Sequence, residues 1–558
     1  MFLTTNVVAL LLLSGPTAPV ATEPPDRVLV NAVVHTMDDA RPRAEAVAIT
    51  GGRITGVGSS RDLLATKGPR TEVLDLNGAT VIPGLKESHG HFVGIGLARM
   101  SLNLVGTKSW EEVVAKVAAA VKTRPKGSWI VGRGWHEGKW EKNPARLVRG
   151  FPPHDALTAV SPDNPVYLER ADGHAGFANA AAMALMKIGP ATKAPSGGDI
   201  IRDEQGAATG VFVDTAQRLI QPPPSTEADI REAIRLATEE CLSKGITFFD
   251  DAGADLRTIA LYRELAEKQQ LGLRLYPMIR GFEALKRFGP PQPGGPDSFL
   301  SIRSLKLSID GALGSRGAKL LEPYVDDPGN TGLWVTDPAV VRAAALYGIQ
   351  NGFQVNVHAI GDAGNRTVLD AFEAAFKAHP EKKDVRFRDE HSQILDENDI
   401  PRFGRLGVIA SIQGIHGASD LPWASQRLGE ARVLEGAYVW QKLKKSGAML
   451  INGTDAPVED VDPIKSFYAS VTRQSEAGVP VGGYQPDQRL TRMEALRSYT
   501  KDAYWASFAE ANGGVIAPGR WADLTVLSKD ILNVPDAEIL KAEVLYTIVN
   551  GKVAYRLK

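Results

Sequence analysis

Val81-Ile82-Pro83-Gly84-Leu85-Lys86-Glu87-Ser88-His89-Gly90-His91 places two imidazoles one residue apart, a few residues after an apolar pair. Val81 and Ile82 read as the end of a buried strand, and Pro83-Gly84 breaks the regular pattern behind it. In extended backbone, residues i and i+2 face the same side, so both rings can reach one cation. A His-x-His pair alone is a weak signal, because such pairs also arise by chance on surfaces. Four later segments give it weight.

Downstream, apolar strands alternate with helical stretches, the pattern of a parallel α/β fold. After a first strand at about 80–85, seven more are expected at 246–250, 273–278, 305–309, 354–358, 385–389, 408–412 and 449–453. Eight such units predict a (β/α)8 TIM-like barrel. About 160 residues separate the first two strands, far more than a crossover needs. An inserted subdomain is therefore expected at about 95–240. Both chain ends read as short strands, with hairpin signals at Gly51-Gly52 and Asn550-Gly551. They predict one small β-sandwich domain, 23–80 plus 519–558, around a barrel at 81–518.

Composition narrows the function. The 558 residues are 43% hydrophobic and 23% charged, enough for a large core, and the formal net charge of −1 provides no basic field for nucleic acid. Cys241 is the only cysteine, so intramolecular disulfides and thiolate metal clusters are excluded. Residues 1–22 resemble a secretory signal peptide with a poor n-region, which predicts a periplasmic or secreted protein; with a mis-called start the expectation is a cytoplasmic one. No stretch of eighteen uninterrupted apolar residues exists, so the mature chain is not expected to insert stably in a membrane. The oligomeric state, homo-oligomer included, is left open.

The polar residues fall at the C-terminal ends of the expected strands, where such barrels put their active sites. His89 and His91 follow the first strand. Lys306 lies in the fourth, just before Asp310-Gly311. His358 closes the fifth, His391 closes the sixth, and Asp455 follows the eighth. This order resembles the metal pattern of the amidohydrolase superfamily. Finer motifs resemble its third family, the YtcJ-like branch that includes N-substituted formamide deformylases. They are Gly132-Arg133-Gly134-Trp135, Asp172-Gly173-His174, Lys306 through Arg316, His358-Ala359-Ile360-Gly361-Asp362, Glu390-His391, Thr454-Asp455-Ala456-Pro457 and Pro518 through Leu524. The resemblance covers nearly all of residues 27–555.

The resemblance implies two divalent ions, zinc by preference for neutral imidazole. His89, His91 and Asp455 would bind one, and His358 and His391 the other. Lys306 would bridge them as a carbamate, since an ammonium would repel both ions; the alternative is an unmodified lysine pairing with Asp310 or substrate. The implied chemistry is hydrolysis of a C–N bond in a small amide, an N-acyl or N-formyl amine. Metal-activated hydroxide attacks, and Asp455 carries the proton to the leaving amine. A carbamate, an ester or lactone, or deamination of a ring amidine remain alternatives on the same site, as does a non-catalytic metal-binding protein.

Further residues are weighed for substrate or catalytic roles. His174, near Arg170 and Asp172, could line the pocket. Trp135 with His136 could form an aromatic wall, and Trp110, Trp129 and Trp140 in the same segment suggest substrates with an apolar or aromatic part. Arg316 could hold an anion, and His416 follows the seventh strand. Two positions depart from the family pattern: Glu87 stands where aspartate is usual, and Gly414 stands where proline is usual. His35, His154 and His379 fall outside the pattern and are expected at the surface or in structural roles.

Overall fold

The computed structural model describes residues 23–558, the side chains of 421 and 422 excepted, so the leader expected at 1–22 lies outside the described residues. Six parallel strands run side by side: Met278–Arg280, Ser304–Ser308, Gln354–Ala359, Arg388–His391, Ile409–Gln413 and Leu450–Gly453. Three more, Arg274–Leu275, Ile246–Asp251 and Leu85–Gly90, form a second parallel sheet. The two sheets meet where Ala254 bridges Ile279. They meet again where the Asp455 N–H donates to the His89 carbonyl and the His91 N–H to that of Ala456.

The helices between strands follow from local sequence. Asp337 caps the helix Pro338–Asn351, with Pro338 in the first turn, where its missing N–H costs nothing. Gly352 ends it at φ 75°, a conformation glycine adopts without strain. In the helix Asp362–Ala378, Val368, Phe372 and Ala375 recur at helical spacing and are buried. Each large apolar side chain so buried contributes about 1.5–3 kcal/mol.

The first strand departs from expectation. Thr80–Pro83 pairs with Val33–His35 and Leu524–Leu527 in a sheet made by the two chain ends. The parallel strand is Leu85–Gly90, and it carries His89 within it. Lys86-Glu87-Ser88 lies beyond the strand expected at about 80–85 and is polar, yet all three residues are fully buried. The Lys86 ammonium donates to Asp250 at 2.5 Å and to Ser507 at 2.9 Å, and Arg388 reaches the same carboxylate at 2.9 Å. A charged strand is stable in an interior when each charge is paired. The third strand is split, with Pro277 between its halves and no N–H there to donate. The sixth begins three residues later than expected and includes His391.

Between the first two parallel strands lies a six-stranded mixed sheet, from Leu102–Asn103 through Ala208–Asp214. The helices Phe92–Met100 and Glu227–Ser243 flank it and pack on each other, so closely that a Cβ on Gly96 would sit 2.0 Å from the Ala233 carbonyl oxygen. The strands of the sheet itself run from Leu102 to Asp214. Among the described residues no helix is long and apolar enough to cross a membrane.

The chain ends are joined by polar contacts as well as strands. His35 is buried, and its Nε2 lies 2.9 Å from Asp530 and 2.8 Å from Arg43. Burial lowers its pKa below the ordinary 6.5, more than Asp530 raises it. The unfolded chain then binds more protons at this ring just below 6.5 than the folded chain does. The contribution to stability is full above that pH and is lost as pH falls through the window beneath it. Denaturant midpoints measured between about pH 5 and 8 are expected to fall toward acid more steeply for the wild type than for His35→Gln. Parallel profiles would remove His35 as a cause.

Candidate metal centre

The ends of the parallel strands bring His89, His91, Lys306, His358, His391 and Asp455 to one cavity of about 330 Å³, with His174 at its wall. His89 Nδ1 lies 2.5 Å from Glu390, a contact in which the ring N–H donates to the carboxylate and Nε2 keeps a free lone pair. That Nε2 is 3.6 Å from Asp455 Oδ1 and 3.1 Å from the Lys306 nitrogen. His391 is held the same way, with Nδ1 2.7 Å from the Gln413 side-chain oxygen. His91 Nε2 lies 3.1 Å from Asp455 Oδ1. Two sets of three donors lie within 4.8 Å of one another: His89, His91 and Asp455, and His391, His416 and Asp455. Asp455 and His391 hold left-handed φ values of 59° and 85°, the kind of backbone strain that clusters at functional sites.

The donor set fits a divalent cation. Asp455 Oδ1 and His416 Nε2 are buried without a hydrogen-bond partner among the described residues, and such orphans call for an ion or water. Burial opposes the Asp455 charge, but the surrounding imidazoles of His91, His89 and His391 hold its carboxyl well below the usual range. Burial keeps His89, His358 and His391 below their ordinary pKa, and Lys306 adds to this at His89. Neutral imidazoles around a carboxylate are the ligating forms. His89 holds the Glu390 carboxyl down at about 2 against its burial.

His358 stands apart from both donor sets, although its ring lies 4.4 Å from that of His391. Its Nε2 faces the Gly311 carbonyl at 3.5 Å and Asp310 at 3.6 Å. Asp310 does not pair with Lys306. It accepts from the backbone N–H groups of Lys319, Ile360 and Gly361, and so braces the loops around His358.

His174 is different in kind. Burial alone would lower its pKa, but Asp214, 2.5 Å from its Nδ1, raises it to about 9. It is an imidazolium at neutral pH, with its ring 5.0 Å from that of His358. Asp172 accepts from the His174 N–H and from Arg170, which fixes the turn that presents the ring.

Two candidates are not brought to the site. Trp135 is fully buried in the inserted sheet's own core against Trp140, Phe151 and Phe177, and its indole N–H donates to the Leu168 carbonyl. Trp110 and Trp140 lie in that same core, and Trp129 lines an outer groove that shares His91, Asp172, His174 and Arg280 with the cavity. Arg316 braces a loop, pairing with Asp326 at 2.7 Å and donating to the Arg149 carbonyl. His416 does arrive, stacked 6.4 Å from His391 at 8°. His136 and Trp423 line a small pocket of about 50 Å³ beside it. Sequence reasoning assigned no role to Glu390, Gln413 or Asp214. The visible signals were polar side chains beside or at strand ends, each adjacent to a candidate ligand or to its neighbouring strand.

The two departures from the family pattern are accommodated locally. Glu87 spans to the Thr454 N–H and hydroxyl while accepting from the His89 N–H, and Gly453 leaves room for it, since a Cβ there would sit 2.3 Å from Glu87 Oε1. Gly414 packs against the helix Pro463–Thr472, where a Cβ would meet Ser470 Oγ at 2.0 Å and the Ser466 carbonyl at 2.6 Å. Its N–H donates to Asn452, a bond that proline cannot make.

Parallel strands that deliver imidazoles, a lysine and a carboxylate to one end define a metal-dependent hydrolase. The chain belongs to the amidohydrolase family, whose model matches residues 72–555. It is 33% identical to YtcJ of Bacillus subtilis, a protein named as an amidohydrolase, over 94% of this chain and 98% of that one. It is 28% identical to the N-substituted formamide deformylase of Arthrobacter pascens, over 95% and 98%. A crystal structure of a metal-dependent hydrolase from Pyrococcus horikoshii superimposes with a TM-score of 0.71 at 26% identity, over 91% of this chain and 99% of that one.

Gly414→Ala is expected to lower stability by about 1–3 kcal/mol through overpacking. An unchanged denaturant midpoint would show that the helix beneath has slack.

Proposed function

We propose that this protein hydrolyses the C–N bond of a small amide, an N-acyl or N-formyl amine, giving an acid and an amine. The observation that carries this reading is the gathering of neutral imidazoles around a buried, unsatisfied Asp455 carboxylate at the strand ends. Similarity to a formamide deformylase supports an amide as the electrophile. The two parallel sheets are read as one (β/α)8 barrel, with a β-sandwich made by the chain ends.

His89, His91 and Asp455 would hold one divalent ion, and His391 with His358 a second, zinc suiting both sets. Bound there, such ions supply Lewis acidity toward a carbonyl and lower the pKa of water. Lys306 would bridge as a carbamate. Burial lowers its pKa, although Glu390 and Asp455 oppose this. That favours the neutral amine, which adds carbon dioxide and releases a proton. Asp455 is ionised, so it can accept a proton from the attacking water and return it to the leaving nitrogen. His174, an imidazolium beside His358, would donate to the oxygen that becomes negative as the carbonyl is attacked. Glu390 and Gln413 hold the ligand rings in the required tautomer.

The test is metal content of the purified chain by elemental mass spectrometry, paired with hydrolysis of an amide panel before and after chelation. About two equivalents of zinc with chelator-sensitive amide cleavage is expected. Metal with cleavage of esters, lactones or carbamates only would replace the amide, and no metal under any reconstitution would overturn the reading. Asp455→Asn should keep the fold and cut kcat on the order of 10² or more; near-normal turnover would remove Asp455 as the proton carrier. Lys306→Ala should lose bound metal, with partial return on adding a short carboxylic acid. Unchanged metal content would show that Lys306 does not bridge.

A further inference from the structure

The cavity that holds the candidate ligands also holds two arginines, Arg218 and Arg280. They come from distant parts of the chain. Arg218 lies in the short helix Thr215–Leu219 that follows the inserted sheet, and Arg280 ends the parallel strand Met278–Arg280. Both side chains are exposed to the cavity mouth, and neither donates a hydrogen bond nor joins an ion pair among the described residues. The acidic groups around them are already engaged. Asp172 is tied to Arg170, Asp251 accepts from the Tyr262 hydroxyl and the Phe92 N–H, and Asp455 faces the imidazoles.

Arg280 is placed against the site. A Cβ built on Gly253 would lie 3.2 Å from Arg280 Nε and 3.6 Å from Lys306 Cγ, so the guanidinium and the lysine stem flank one small space above that glycine. Any side chain at 253 would crowd the guanidinium out of it. A guanidinium is always charged and presents a planar fork that matches a carboxylate. Two unpaired forks on a cavity of about 330 Å³ have the reach and the charge to hold one anionic group of a small molecule.

We propose that Arg218 and Arg280 bind a carboxylate on the non-reacting end of the substrate and so select anionic amides over neutral ones. This rests on the amide-hydrolase reading for the bond that is cleaved. The carboxylate sits at the cavity mouth, and the amide reaches inward to Asp455 and the imidazoles. Arg218 and Arg280 are specificity residues here; they take no part in proton transfer.

The experiment compares the zinc-loaded wild type with Arg218→Met and Arg280→Met. Both positions are exposed, and thermal midpoints check that the variants fold. The substrates are N-formylphenylalanine and N-formylphenethylamine, which differ by one carboxylate. The wild type is expected to favour the acid in kcat/KM, and each variant to lower the acid-to-neutral ratio by on the order of 10-fold or more, as for loss of a charge-assisted hydrogen bond. A ratio that is unchanged in both variants overturns the proposal. Calorimetric binding of 3-phenylpropanoate gives a readout independent of turnover. Weaker binding in both variants, with no hydrolysis of either amide, would keep the carboxylate site and overturn the amide reading. Equal binding in all three proteins would place the anion elsewhere, on the metal ions first, and overturn the carboxylate site.

Discussion

Asp250 ties together the two strands that carry the central histidines. Its carboxylate accepts from Lys86, three residues before His89, and from Arg388, three residues before His391, with Ser507 as a third donor. All of these groups are buried. An uncompensated charge in such a place costs several kcal/mol, so a strand that slips in register pays heavily. The consequence lies one layer above. Once Lys86 and Arg388 meet at Asp250, His89 and His391 stand with ring centres 4.7 Å apart. Glu390 and Gln413 then select which nitrogen of each ring faces the cavity.

The site above this layer separates two kinds of histidine by their partners alone. Burial keeps His89, His358 and His391 neutral, and neutral rings ligate. His174 is half-buried at the cavity wall, and Asp214 stands against its Nδ1 and keeps it charged. The same side chain thus offers a lone pair on one side of the cavity and a proton on the other. Asp214 is placed by the end of a strand of the inserted sheet, Ala208–Asp214, so the insertion contributes charge to the site, where Trp110, Trp135 and Trp140 contribute only to its own core.

Much of this was legible in the sequence, for definable reasons. His358 and Asp455 follow or close short apolar runs, His391 closes a strand expected at 385–389, and a strand's end is a recognisable place for a polar residue to face a cavity. The strand Leu85–Gly90 was not legible, because alternation of apolar and polar residues fails where the interior partners are themselves charged; Lys86 is buried only because Asp250 lies 164 residues away in sequence and next to it in space. Trp135 and Arg316 misled for the opposite reason. Each sits in a motif shared with the family, and a motif residue can serve the loop that carries the site without facing it. His416 was placed near the site by its position after the seventh strand, but its unpartnered Nε2 could be seen only in the structure.

The positions that depart from the family pattern show how such a site tolerates change. Glu87 is longer than the usual aspartate, and its carboxylate reaches the backbone that leads into Asp455. Gly453 gives up a side chain to admit it. Gly414 lacks the proline ring, and the space is filled by Ser466 and Ser470 of the adjacent helix, while Asn452 takes the N–H that proline would not have. In both places the change is absorbed by groups beneath the candidate ligands, which stay where the strands put them. The cavity mouth is under no such constraint. Arg218 and Arg280 pair with nothing among the described residues, so they can change without disturbing the layer that aligns His89 with His391. A site aligned by buried pairing below, and unpaired charge left at the cavity mouth above, is the arrangement that this architecture permits.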